Sequence, residues 1–155
     1  MPQLRGANVS RRFEPRIDTD EHRFQIGFAP SREHKAAAKR RNAKNIGFAF
    51  DVHDEIGPGL NGKIYENSLV VLFKQNGIAF DQQRRFPVLF RTVQVGEFIP
   101  DLIAFRAVIV DAEVIERITE HERGQMLSHL RITKLRVGLI LNFKHARSEW
   151  ERIVL

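Results

Sequence analysis

Two short apolar runs constrain this chain most: AVIV at 107–110 and VGLILNF at 137–143. A strand with one wet face alternates apolar and polar residues. A run without polar interruption needs cover on both faces. Between the runs, residues 119–133 change to helical spacing, with Met126, Leu127, Leu130 and Ile132 apolar. The segment TEHE opens that helix, with Thr119 as cap and Glu122 three residues on, the pattern of a capping box. Two buried strands on either side of a helix predict a sheet with helices packed on it.

The flanking pattern extends this reading. Residues 46–56 fit a short amphipathic helix ended by Gly57-Pro58. GPGLNG reads as a helix-to-helix turn; it lacks the Lys-Ser/Thr and the preceding strand of a phosphate loop. Ile64, Leu69, Leu72 and Phe73 then recur at helical spacing, closed by Asn76-Gly77. RRFPVLFRTVQVGEFIPDLIAF alternates with period two. It predicts strands at 84–91 and 94–104 around a tight turn near residues 91–93. A third strand covers 105–112, and WERIVL at 150–155 forms a final edge strand. The expected fold class is α/β: a central mixed sheet flanked by helices, in the order α-β-β-β-α-β-β.

Composition narrows the chemistry. The 155 residues include no Cys, which removes disulfides, thiolate zinc sites and thiol nucleophiles. No apolar run is long enough to span a bilayer, and the N-terminus has no secretory core segment; a soluble cytoplasmic protein is expected. Residues 1–45 hold 11 Lys/Arg against 5 Asp/Glu, so the whole net charge of +6 lies there and residues 46–155 balance to zero. Residues 1–33 read as irregular, and HKAAAKRRNAKN at 34–45 as a solvated helix or a basic arm for phosphate contacts. Two domains of unequal kind are expected, a basic N-terminal extension (1–45) and a folded body (46–155).

The stretch VIVDAEVIERI (108–118) ends a buried strand with Asp111 and Glu113, two acids on one face. Such a pair suits half of a metal site, or an ordinary charged surface. It also suits the remains of a site that no longer works. VHDEIGPGLNGKIYENSL, FDQQRRFPVLF, VGEFIPDLIAF, VIVDAEVIERI and QMLSHLRITKLRVGLILNF, in this order, resemble the GxxExxY protein family of the PD-(D/E)XK nuclease superfamily. The resemblance covers about residues 46–155.

That resemblance implies a restriction-endonuclease-like core, a Mg²⁺ held by carboxylates, and nucleic acid as partner. It places the Asp of the PD element at Asp101, after Pro100. The acid of the (D/E)XK element falls at Asp111, and Asp101 and Asp111 become the metal ligands. The helix Gln falls at Gln125, with His129 where a Tyr follows it. Gln83 fits a Gln before the strand. Two positions depart from the pattern. Glu113 stands where the motif has Lys, and Gly62 stands where GxxExxY has its Glu. Asp101, Asp111, Glu113 and Gln125 are thus the candidate catalytic positions.

The exchange at 113 reverses a charge. Asp111 and Glu113 would lie about 7 Å apart on one strand face, repelling by about 2 kcal/mol without a cation. Gly62, read as interior to a helix, would cost about 1 kcal/mol against Ala. Glu66, four residues after Gly62, reads as a solvated helix Glu or as a replacement for the missing acid; Lys63 and Arg117 are the nearest cations in sequence, neither at the i+2 strand spacing. His53 reads as a packed structural histidine, and Tyr65 as packed against the sheet. The resulting expectation is a nuclease fold with impaired or lost hydrolysis. The alternatives are an active Mg²⁺-dependent nuclease on DNA or RNA with a rearranged site, and a protein-interaction domain.

Overall fold

A computed structural model describes residues 31–155. Helices α1 (Arg32–Ile56) and α2 (Gly62–Gln75) precede strands β1 (Phe80–Gln82), β2 (Phe86–Phe90), β3 (Val93–Phe98), β4 (Leu102–Ala104) and β5 (Val108–Glu113). Helix α3 (Glu120–Thr133) and strands β6 (Val137–Asn142) and β7 (Glu149–Val154) complete the chain. Five strands form one sheet in the order β1-β4-β5-β6-β7. Only β5 and β6 pair in parallel, across the α3 connection; the other neighbours are antiparallel. The expected mixed α/β sheet is therefore present.

The uninterrupted runs behave as their composition dictates. Val108, Val110 and Ala112 of β5 join Leu139 and Leu141 of β6 beneath α1 and α2, where Phe48, Val52, Tyr65, Leu69 and Phe73 cover them. Ile109 and Ile140 face the other way and meet Met126 and Leu130 of α3. Gly138 is needed for that second contact, because a Cβ there would overlap the Met126 side chain. β7 is an edge strand, as its position at the end of the chain suggested.

Four details differ from the sequence reading. The helix expected from residue 46 begins at Arg32, so the basic stretch 34–45 and the amphipathic stretch are one helix. The expected strand 94–104 is split, because Pro100 has no N–H to give to a ladder. Its first part pairs with β2 as a separate two-stranded ribbon, and only its second part, β4, enters the main sheet. The strand expected over 105–112 starts at Val108, because Phe105 and Arg106 have positive φ and form the turn from β4. Finally β1, at Phe80–Gln82, is too short to show a period. The expectations that concern residues 1–30 lie outside the described residues.

The turns follow their residues. Gly57 (φ 80°) ends α1, its N–H donating to His53 O at 2.9 Å. Tyr65 is fully buried, stacked on Phe143 at 4.3 Å. Its hydroxyl donates to Gly57 O (2.8 Å) and accepts from Leu60 N (2.9 Å), which fixes GPGLNG as the link between α1 and α2. His53 is buried, with Nε2 2.8 Å from His145 O, a structural role. The Thr119–Glu122 capping box is formed.

Candidate active site

Side chains alternate along a strand, so Asp111 and Glu113 share the face of Ile109, toward α3. Leu102 pairs with Val110 and Ile103 with Ile109. One step further along that register, Asp101 stands across from Asp111. The split before β4 thus places the Asp of the Pro100-Asp101 pair beside the end of the central strand. Asp101 Oδ2 accepts from Ala112 N at 3.3 Å.

The three carboxylates act on one another. Burial and Asp111, with a further push from Glu66, raise Asp101 to about 6, against the opposing effects of the Ala112 N–H and Lys63. Burial, then Asp111 and Asp101, push Glu113 up as well, with Glu122 adding and His129 opposing. Asp101, Asp111 and Glu113 are therefore brought together. Gln125 is not: it is exposed on α3, and its side chain makes no hydrogen bond among the described residues. The residue of α3 that reaches the acids is His129, one turn on. Its ring stacks on Phe98 at 3.8 Å, and its buried Nδ1 lies 3.7 Å from Asp111 Oδ2 without a hydrogen-bond partner.

Helix α2 contributes from the opposite side. Asn61 is its N-cap, accepting from Lys63 N at 2.9 Å, and Gly62 is its first residue. Gly62 is thus not interior, and the expected helix penalty does not apply at the first turn. Its role is close approach: a Cβ would lie 2.9 Å from Ala112 O on β5. A Glu at 62 could not be seated there without moving the helix. The acid that α2 does bring is Glu66, only 3% exposed, accepting from Lys63 Nζ (2.6 Å) and Gln82 Nε2 (2.7 Å). Gln82 of β1 makes this contact. Gln83, the position expected from the motif, is exposed at positive φ, its N–H donating to Asp101 O. Glu66 had a sequence signal: with Leu69, Val70 and Phe73 it keeps the i, i+3, i+4, i+7 spacing of the buried stripe. Arg117, the other cation considered, is exposed and has no ion pair among the described residues.

Among the described residues, no group of three or more His, Asp or Glu gathers closely enough to cage a metal ion. The two half-buried carboxylates Asp101 and Asp111 are hard oxygen donors of the kind Mg²⁺ takes, since it keeps several waters and needs one or two protein carboxylates.

A family model described as the PD-(D/E)XK nuclease superfamily matches residues 39–153. No match was found among curated proteins or among solved structures. Among the described residues, no helix is long and apolar enough to cross a membrane.

Proposed function

The chain belongs to the PD-(D/E)XK nuclease superfamily, and from that premise we propose a nucleic-acid-binding, GxxExxY-type nuclease with strongly slowed phosphodiester hydrolysis. Asp101 and Asp111 would hold Mg²⁺. When bound, the ion supplies charge stabilisation at the phosphate and acidifies water. One observation carries the reading of slow hydrolysis: Glu113 ends β5 two residues after Asp111 on the same face, at the end of the strand that Asp101 adjoins. A phosphate approaching this face meets one more anion where the superfamily motif offers a cation.

Magnitudes favour impairment over abolition. The repulsion between Asp111 and Glu113 acts on the free protein and can be offset by a bound cation, so it does not by itself abolish metal binding. Loss of a positioned proton-transfer or charge-stabilising group costs a factor on the order of 10² in rate. The carboxylate pair and the helix acid remain, so slow cleavage is expected. The exposed Lys39, Arg40 and Lys44 of α1 add sequence-independent attraction for a phosphate backbone.

The test is Glu113→Lys, assayed with Mg²⁺ or Mn²⁺ on single- and double-stranded DNA and RNA. Cleavage should rise by about 10²-fold or more over the wild type and vanish with Asp101→Asn. A folded Glu113→Lys protein as inert as the Asp101→Asn variant would overturn the nuclease reading.

A further inference from the structure

The first turn of α2 is unusual in what it carries. Gly62 lets the helix start against the β5 backbone at Ala112. The next residues are thereby delivered to the acid end of the sheet. Lys63 Nζ donates to Glu66 Oε1 at 2.6 Å, and Glu66 also accepts from Gln82 Nε2 at 2.7 Å; Gln82 in turn donates to Asn67 Oδ1 at 3.1 Å. An exposed i,i+3 ion pair is weakly fixed by its own energy. Here the acceptor is 3% exposed and held by two donors, so it is an anchor, while the lysine side chain stays 45% exposed. Such a lysine has spare donors and open access to a ligand. Asp101 Oδ2 accepts from Ala112 N at 3.3 Å, so this acid stands at the same β5 residue against which α2 begins.

We infer that Lys63 supplies from α2 the positive charge that β5 lacks at Glu113, contacting the substrate phosphate beside Asp101, and that Glu66 and Gln82 are its positioning residues. This rests on the nuclease reading above and names the group that sustains the remaining activity. No covalent step is assigned to Lys63; it acts as a fixed cation and hydrogen-bond donor. A purely structural Lys63–Glu66 pair would stabilise α2 and leave nucleic-acid affinity unchanged.

Two measurements on the full chain separate these roles. The first is binding of a short fluorescein-labelled DNA duplex in EDTA, across a salt series. Lys63→Gln should weaken binding about tenfold and lower the salt slope by about one, while Lys63→Arg stays within about threefold of wild type. Lys63→Met with Glu66→Leu, which removes the pair without stranding a buried charge, should bind as weakly as Lys63→Gln and covers the case in which that variant fails to fold. The second is cleavage in two backgrounds. Lys63→Gln should cost about 10²-fold in the wild type but no more than about threefold beside Glu113→Lys, where the strand lysine takes over.

Unchanged affinity and slope in EDTA, or equal losses in both backgrounds, would overturn the inference and leave the nuclease reading standing. The same holds if the wild type is inert while Glu113→Lys cuts. If Glu113→Lys is folded and inert, the nuclease reading fails first and the inference with it.

Discussion

An acid whose folded pKa lies above its unfolded value binds its proton more tightly in the fold. Asp101 is raised from 3.8 to about 6, chiefly by burial and by Asp111. Stability contributed by its protonated form is therefore present below pH 4 and is lost as pH rises toward 6. Glu113 is shifted in the same direction. Asp101→Asn should flatten part of this fall and stabilise the protein at pH 7 by on the order of 1 kcal/mol, after allowance for solvent screening. Urea midpoints across this pH window measure it. An unchanged slope would mean that Asp101 is not held among anions. Mg²⁺ at neutral pH should raise the wild-type midpoint and leave Asp101→Asn unmoved, since only a bound ion stabilises by mass action. Strand alternation put Asp111 and Glu113 on one face, whereas Asp101 was named only through the resemblance of Pro100-Asp101 to the superfamily motif. His129 was named only as the residue in the Tyr position, without its reach to Asp111, and Gln82 was not named at all. Their approach depends on where α3 and β1 pack, and a single side chain carries no periodic signal for that.

Elements show the same division between local and tertiary causes. The capping box at Thr119, the Gly57 stop and the helix-to-helix turn are local chemistry, and they formed as their residues indicated. The hairpin strands were legible as strands but not as a ribbon outside the main sheet, because period two does not name a partner. Gly62 is the sharpest case. Set beside the motif it looks like a lost acid; in the fold it is the point where α2 touches β5. Gly62→Glu should then fail to restore activity, and should cost about 1–3 kcal/mol through overpacking against the Ala112 carbonyl. Gly62→Ala should show part of that cost. Chemical denaturation of both variants decides. A Gly62→Glu protein as stable as wild type, with faster cleavage, would show that α2 can accept the acid at its first turn and that Glu66 is not its replacement.

At the scale of the whole molecule, charge is the property to test. Residues 32–44 hold six Lys/Arg and one Glu, so most of the net +6 lies on the N-terminal half of α1. The C-terminal half of the same helix buries Phe48, Ala49 and Val52 in the core. Charge counting found the asymmetry but could not show that arm and core share one helix, since basic side chains mask the apolar period before residue 46. Truncation at residue 45 would remove the buried Asn42 and Asn45 along with the charge, so substitution is the cleaner probe. Lys39, Arg40 and Lys44 are exposed. Each phosphate contact contributes about 0.9 to the slope of log K against log salt on duplex DNA. Exchanging all three for Gln should reduce that slope by about 2–3 and weaken binding alike for unrelated sequences, with thermal stability unchanged. If the slope stays put, α1 does not lie along the nucleic acid, and the attraction must come from cations elsewhere, Lys63 among them.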